Sequence, residues 1–113
     1  MPVDRDVAAE LHELHARVCK AIADPKRLLI INELRDGELS VGDLSEALAI
    51  SHSNASQHLA VLRDRGMVTT RRVGTTVYYS LRSTKIVQAV DLLREFLADD
   101  LAERGRLGDV IAG

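Results

Sequence analysis

The sequence has few of the residues that build disulfide-linked, metal-knuckle or membrane-spanning proteins. Its 113 residues include one cysteine, Cys19, which excludes an internal disulfide and a zinc site of several thiolates within one chain. No uninterrupted apolar run is longer than four residues, the length of the run at residues 28–31, which is far too short to cross a bilayer. Residues 1–6 lack the basic and apolar regions of a signal peptide. These absences predict one soluble domain over residues 1–113, located in the cytoplasm.

Sequence patterns of common enzyme classes are also missing. The chain has no glycine-rich loop that would bind a phosphate and no nucleophile elbow. It also has no spaced pair of acidic and basic groups that would lie together in a pocket. We therefore do not expect an enzyme.

The net charge of −2 is unevenly distributed along the chain. Residues 1–51 have six basic and ten acidic side chains, whereas residues 83–113 have four basic and six acidic ones. Between them, residues 52–82 have five arginines against the single acidic residue Asp64. Because anion binding depends on the local potential, this basic middle segment is able to bind nucleic acid within a chain that is acidic overall.

Hydrophobic spacing predicts one long helix at each end of the chain. The first covers residues 6–22, where an apolar residue recurs every three or four positions at Val7, Leu11, Leu14, Val18 and Ile22. The last begins after the capping residue Ser83 and is expected to end at Gly105, followed by a frayed tail over residues 108–113. Its apolar stripe consists of Ile86, Val90, Leu93, Leu97 and Leu101. A small core cannot cover both stripes, so we expect a homodimer in which they meet.

Three shorter helices and a β-hairpin are predicted between these two. The second helix starts at the Asp24-Pro25 cap and stops at Gly37. The third follows a capping box at residues 40–43, and the fourth runs from the cap Ser51 to Arg65. A β-hairpin is predicted over residues 67–73 and 76–81, where successive side chains would point to opposite faces, with a turn at residues 74–75. The inward-facing residues are expected to be Leu28, Ile31, Leu34, Val41, Leu44, Leu48, Ala55, Leu59 and Leu62.

The third and fourth helices form a helix-turn-helix pattern, and a basic hairpin follows them directly. In such a motif the N-terminal half of the second helix enters the major groove of DNA, where small polar side chains contact base edges. The candidate residues on this helix are His52, Ser53, Asn54, Ser56, Gln57 and His58. On the hairpin, Arg71, Arg72, Thr75 and Thr76 are candidates for binding phosphates or the adjacent minor groove.

The sequence resembles the ArsR/SmtB family of winged helix-turn-helix transcriptional regulators over about residues 10–100. The motifs behind the resemblance are ADPKRL at 23–28, GELSVGDL at 37–44, ISHSNASQHL at 50–59, VLR at 61–63, GMV at 66–68, Gly74, VYY at 77–79 and Leu81. The resemblance implies a mainly α fold with a β-hairpin wing, in the order α1-α2-α3-α4-β-β-α5. It also implies a dimeric repressor that binds a palindromic operator in double-stranded DNA and is released by an effector. The family's base-contacting positions match His52, Ser53, Ser56 and Gln57.

Many members of this family are metal sensors, but the family's usual metal sites do not match this sequence. One site needs a cysteine where Ser40 stands, and another falls on Ser83, Lys85, Phe96 and Asp99. A remaining candidate is the first helix, where His12, His15 and Cys19 share one face. These three groups suit zinc, nickel or copper. The alternative is that both histidines are solvated beside a small buried thiol, and that the effector is another small molecule between the first and last helices.

A second functional alternative is a winged-helix module that binds protein or RNA without operator specificity. An apolar exposed face on the fourth helix would favour a protein partner. The polar residues found there favour duplex DNA instead.

Overall fold

The computed structural model describes residues 4–112, with the side chains of residues 4–106. Helix α1 starts after Asp4, whose carboxylate accepts hydrogen bonds from the backbone N–H groups of Asp6 and Val7. It consists of the α-helical segment Arg5–Leu14, a π-helical turn His15–Cys19 and a last α-helical turn Lys20–Ile22. The predicted helix over residues 6–22 is confirmed, while the π-turn was not predicted.

Helix α2 spans Pro25–Glu33 and continues into a 3-10 turn, Leu34–Asp36. The Asp24 carboxylate caps it by accepting from the backbone N–H groups of Lys26 at 2.8 Å and Arg27 at 3.3 Å. Pro25 occupies the first helical position, where its missing N–H costs nothing. The chain then turns at Gly37, as the sequence predicted.

Helices α3, Val41–Leu48, and α4, His52–Asp64, form the helix-turn-helix. Ser40 and Asp43 make the predicted capping box, because each side chain accepts from the other residue's backbone N–H. Ala49 between the helices adopts a left-handed conformation. The hydroxyl of Ser51 caps α4 by accepting from Asn54 N at 3.0 Å.

The wing is an antiparallel hairpin of β2, Val68–Val73, and β3, Thr76–Leu81. A third strand, β1 (Leu39–Ser40), pairs with β3 and gives the sheet order β1-β3-β2. Strand β1 was not predicted, because two residues between a glycine turn and a helix cap show no periodicity.

The last helix, α5, spans Thr84–Ala112, so the prediction that it ends at Gly105 is wrong. The hydroxyl of Ser83 accepts from Lys85 N at 3.2 Å near its start, as expected for the capping residue. A single glycine costs a helix only about 1 kcal/mol and does not force it to end. The predicted frayed tail is likewise helical over residues 108–112, and Gly113 lies outside the described residues.

The core lies where α2, α3, α4 and α5 meet. Its largest fully buried side chains are Ile30, Ile31, Leu44, Leu59 and Leu62. The predicted inward-facing residues are buried or half-buried in each case. Parts of the apolar stripes of α1 and α5 remain exposed in the single chain, with Leu11 at 55% and Leu97 at 54%. The other stripe residues Val18, Ile22, Ile86 and Val90 pack in or against the core.

Candidate nucleic-acid interface

The outer face of α4 presents a short row of polar side chains at its N-terminal half. Ala55 and Leu59 are fully buried and fix the helix against the core. The helical period then directs His52, Ser53, Ser56 and Gln57 outwards, and all four are exposed. These side chains offer hydroxyl, amide and imidazole groups, which donate to and accept from base edges.

The other two candidate residues on α4 are turned towards the protein. Asn54 is half-buried, and its Oδ1 has no hydrogen-bond partner among the described residues. The His58 Nδ1 lies 3.4 Å from an Arg27 guanidinium nitrogen and 4.0 Å from the Asp24 carboxylate. His58 therefore packs against the N-terminus of α2, and a role for it or Asn54 in DNA binding stays a prediction.

Asp24 is the electrostatic centre of this contact. Partial desolvation raises the pKa of Asp24, but the backbone N–H groups of Lys26 and Arg27 and the charges of His58 and Arg27 together lower it. The Arg27 guanidinium also donates to the carbonyls of Ala21 and Lys20 at the end of α1. Arg27 thus connects the end of α1, the start of α2 and helix α4.

On the wing, Arg72, Thr75 and Thr76 are exposed and have the freedom to contact DNA. Arg71 is exposed too, but its guanidinium donates to both carboxylate oxygens of Glu38 and lies 5.5 Å from the centre of the Tyr78 ring. This hydrogen bond is the main reason that the pKa of Arg71 is raised and that of Glu38 lowered. Sequence reasoning missed Glu38, because the pairing of β1 with β3 brings it towards the wing.

A cleft of about 400 Å³ connects the start of α3, the start of α4 and the tip of the wing. Gly42 forms part of its wall, and a Cβ there would lie 3.7 Å from Ser40 Oγ and 4.0 Å from His52 Nε2. Thr75 and Thr76 also line the cleft. Candidate residues from α4 and the hairpin therefore share one surface, as expected of a helix-turn-helix flanked by a wing.

The candidate metal residues His12, His15 and Cys19 are all exposed on α1. The alternative of a buried thiol is therefore wrong for the single chain. Within the part of the chain that the structure describes, no three His, Cys, Asp or Glu side chains form a group able to hold a metal ion. The structure thus does not bring these three groups together, and their role as ligands stays a prediction.

Comparisons with known proteins agree on one family. The sequence profile described as "Bacterial regulatory protein, arsR family" matches residues 24–70. The transcriptional activator HlyU of Vibrio cholerae is 50% identical over 74 residues, which are 66% of this chain and 68% of that protein. The transcriptional repressor SdpR of Bacillus subtilis is 34% identical over 80 residues, which are 71% of this chain and 89% of that protein.

The fold is also similar to that of solved structures. The homodimeric winged helix-turn-helix DNA-binding domain of a possible ArsR-family regulator from Mycobacterium bovis has a TM-score of 0.76 and 31% identity. The match covers 91% of this chain and 95% of that domain. The predicted winged helix-turn-helix fold is confirmed, and the relatives are regulators of transcription rather than enzymes. None of the described helices is long and apolar enough to cross a membrane.

Proposed function

Because the chain belongs to the ArsR family of bacterial regulatory proteins and is a DNA-binding transcriptional regulator, we propose that it acts as a homodimeric repressor of a palindromic operator. The observation behind this proposal is the shared surface of α4 and the wing. His52 of α4 lines one cleft together with Thr75 and Thr76 of the hairpin, and Ser53, Ser56 and Gln57 on α4 and Arg72 on the hairpin are exposed. This arrangement suits base contacts flanked by phosphate contacts. DNA binding requires that the protein be located in the cytoplasm with the chromosome.

The exposed apolar stripes support the homodimer. Leu11 and Leu14 on α1 and Leu93, Leu97 and Leu101 on α5 are each at least 45% exposed in one chain. Monomeric proteins rarely leave such contiguous apolar stripes in water, and a second copy offers the same stripes in return. A two-fold dimer would then place two α4 helices in successive major grooves, about 34 Å apart.

The experiment is selection of bound sequences from a random duplex DNA library by the purified protein. We expect enrichment of an imperfect palindrome whose half-sites are about one helical turn apart. Enrichment of a single half-site would contradict the dimeric mode. Failure to enrich any sequence, with binding of structured RNA instead, would favour the RNA-binding alternative. A reporter gene placed downstream of the selected site tests whether binding represses or activates transcription.

We also propose that the effector is a metal ion. His12, His15 and Cys19 supply donor atoms that suit zinc, nickel or copper, and all three are accessible. In one chain they do not form a metal-binding group, so this site depends on a rearrangement of α1 or on a ligand from elsewhere in the dimer. Ligation on α1 would favour one dimer geometry and thereby alter DNA affinity.

A further inference from the structure

Three arginines from three different elements meet beside Gly66, away from the surface described above. Arg17 lies on α1, Arg65 follows the last residue of α4, and Arg82 follows β3. A Cβ on Gly66 would lie only 3.3 Å from an Arg82 guanidinium nitrogen and 3.6 Å from one of Arg17. Two guanidinium groups therefore converge over a residue that has no side chain to separate them.

These arginines line a cavity of about 520 Å³ between α1 and the base of the wing. This volume lies within the range of about 300–1,000 Å³ that is typical of small-molecule sites. The half-buried Val18 and the buried Met67 form its apolar wall, and Leu14, which belongs to the stripe assigned to the dimer, also lines it. The cavity thus combines an apolar surface with a cluster of cationic donors.

The charges around the cavity are not balanced by the protein. Arg17 forms an ion pair with Glu13 at 3.2 Å, and both side chains are more than half exposed. Among the described residues, neither Arg65 nor Arg82 has a carboxylate within ion-pair distance. Glu10 also lines the cavity, but it lies seven residues, about 10 Å, from Arg17 along α1. The three arginines and two glutamates leave one positive charge.

We infer that this cavity binds a small organic carboxylate, with the charged group among Arg17, Arg65 and Arg82 and the apolar body against Val18 and Met67. Guanidinium groups stay charged at every physiological pH and match a carboxylate with paired N–H donors. The apolar wall selects an organic anion over an inorganic one.

The position of the cavity makes its ligand an effector, and this part of the inference rests on the proposed function. Arg65 directly follows α4, and its guanidinium also donates to the Ala16 carbonyl of α1. Helix α4 has 13 residues and is about 20 Å long, so the polar residues at its start remain free for DNA while a ligand occupies the other end. A ligand that contacts α1, the end of α4 and the wing would change the orientation in which α4 meets DNA.

The direct test is calorimetric titration of the DNA-free dimer with octanoate, 1-octanol and inorganic phosphate. We expect binding of octanoate and at least tenfold weaker binding of the other two, which lack the charge or the apolar body respectively. Arg82→Gln should weaken octanoate binding about tenfold, since it removes one charged donor without removing a packed side chain. Arg104→Gln is the matched control, because Arg104 is an exposed arginine on α5 that pairs with Asp100.

Each outcome bears on a different part of the inference. No octanoate binding by the wild type, or equal binding by Arg82→Gln and the control, would refute the site. Operator affinity is then measured with and without saturating octanoate, and a change in the wild type that Arg82→Gln lacks supports the effector role. Binding without any change in operator affinity would refute that role while leaving the site intact. Absence of operator binding without octanoate would instead refute the proposed function. The calorimetric test of the ligand site does not depend on that result, because it is made without DNA.

Discussion

Arg71 on β2 is held by Glu38, the residue that precedes β1: its Nε donates to Glu38 Oε2 at 3.1 Å, and a second nitrogen donates to Oε1. Arg71 is a candidate for phosphate binding, so DNA has to compete with this carboxylate. Among the residues with described side chains, Arg72 has no ion-pair partner, whereas Arg71 is already paired. We therefore expect Glu38 to weaken DNA binding.

Glu38→Gln should increase DNA affinity about two- to fivefold, because it frees Arg71 and removes an anion near the phosphates. The gain should be equal for operator and random DNA, since phosphate contacts do not distinguish sequences. Fluorescence anisotropy at several salt concentrations measures it, with Glu103→Gln on α5 as a control of equal charge. The same gain in the control would show that only net charge matters.

Variants of the exposed polar residues should separate base contacts from backbone contacts. Ser56→Ala and Gln57→Ala should weaken operator binding by roughly tenfold and random-DNA binding much less, because their partners are base edges. Arg72→Ala should weaken both and reduce the salt dependence by about one ion. Binding isotherms on operator and scrambled duplexes provide the measurement. Equal losses on both duplexes for all three variants would disprove this division of roles.

Leu97→Glu should convert the dimer into a monomer, because it places a charge in the middle of the apolar stripe of α5. Analytical ultracentrifugation at micromolar concentration should give about twice the 12.4 kDa of one chain for the wild type and one chain's mass for the variant. Val73→Glu is the control, since Val73 is a similarly exposed apolar residue at the wing. A monomeric wild type would contradict the proposed dimer.

Asp91 should make stability depend on pH in the acid range. Hydrogen bonds from Arg35, at 2.9 and 3.1 Å, lower the pKa of Asp91 most, and Arg94 adds to the effect. A lowered folded-state pKa means that the stabilisation is complete above the usual aspartate pKa of about 3.9 and is lost as the pH falls below it. Asp91→Asn should reduce the melting temperature by about 3 °C at pH 7 and by less at pH 3. An equal reduction at both pH values would exclude this ion pair as the cause.

Metal binding at Cys19 should be visible in DNA affinity. If His12, His15 and Cys19 bind zinc, nickel or copper(I), the metal should weaken operator binding in the wild type and have less effect in Cys19→Ser. The effect should diminish as the pH is lowered, because protons compete with the metal for imidazole and thiolate ligands. Operator titrations with and without each metal test this. An equal response of wild type and variant, or no response to any of the three metals, would leave the thiol without a role as ligand.

The local signals in the sequence predicted the helices and the hairpin because their caps act within a few residues. Asp24, Ser40 and Ser51 each bind backbone N–H groups two or three residues away, so their roles are visible in the sequence. The same local period predicted that Ala55 faces inwards and Gln57 outwards. Gly105 was misleading, because a glycine that ends one helix is tolerated inside another.

Contacts between distant residues could not be predicted in the same way. The Arg71–Glu38 pair depends on β1 joining the sheet, and the position of His58 depends on Arg27, which is 31 residues away. The π-turn in α1 has no sequence period that distinguishes it from an ordinary helical turn. These features arise from packing, which a single sequence does not contain.

The π-turn links the length of α1 to the anchoring of α4. In a regular α-helix the N–H of Lys20 would donate to the Ala16 carbonyl, but here it donates to His15, and the Arg65 guanidinium donates to Ala16 instead. Deleting one residue from His15–Cys19 would restore the regular pairing and leave Arg65 without its acceptor. A hydrogen bond from Arg65, the residue after α4, therefore restricts insertions and deletions in this part of α1. The position of α4 therefore depends in part on the number of residues in α1.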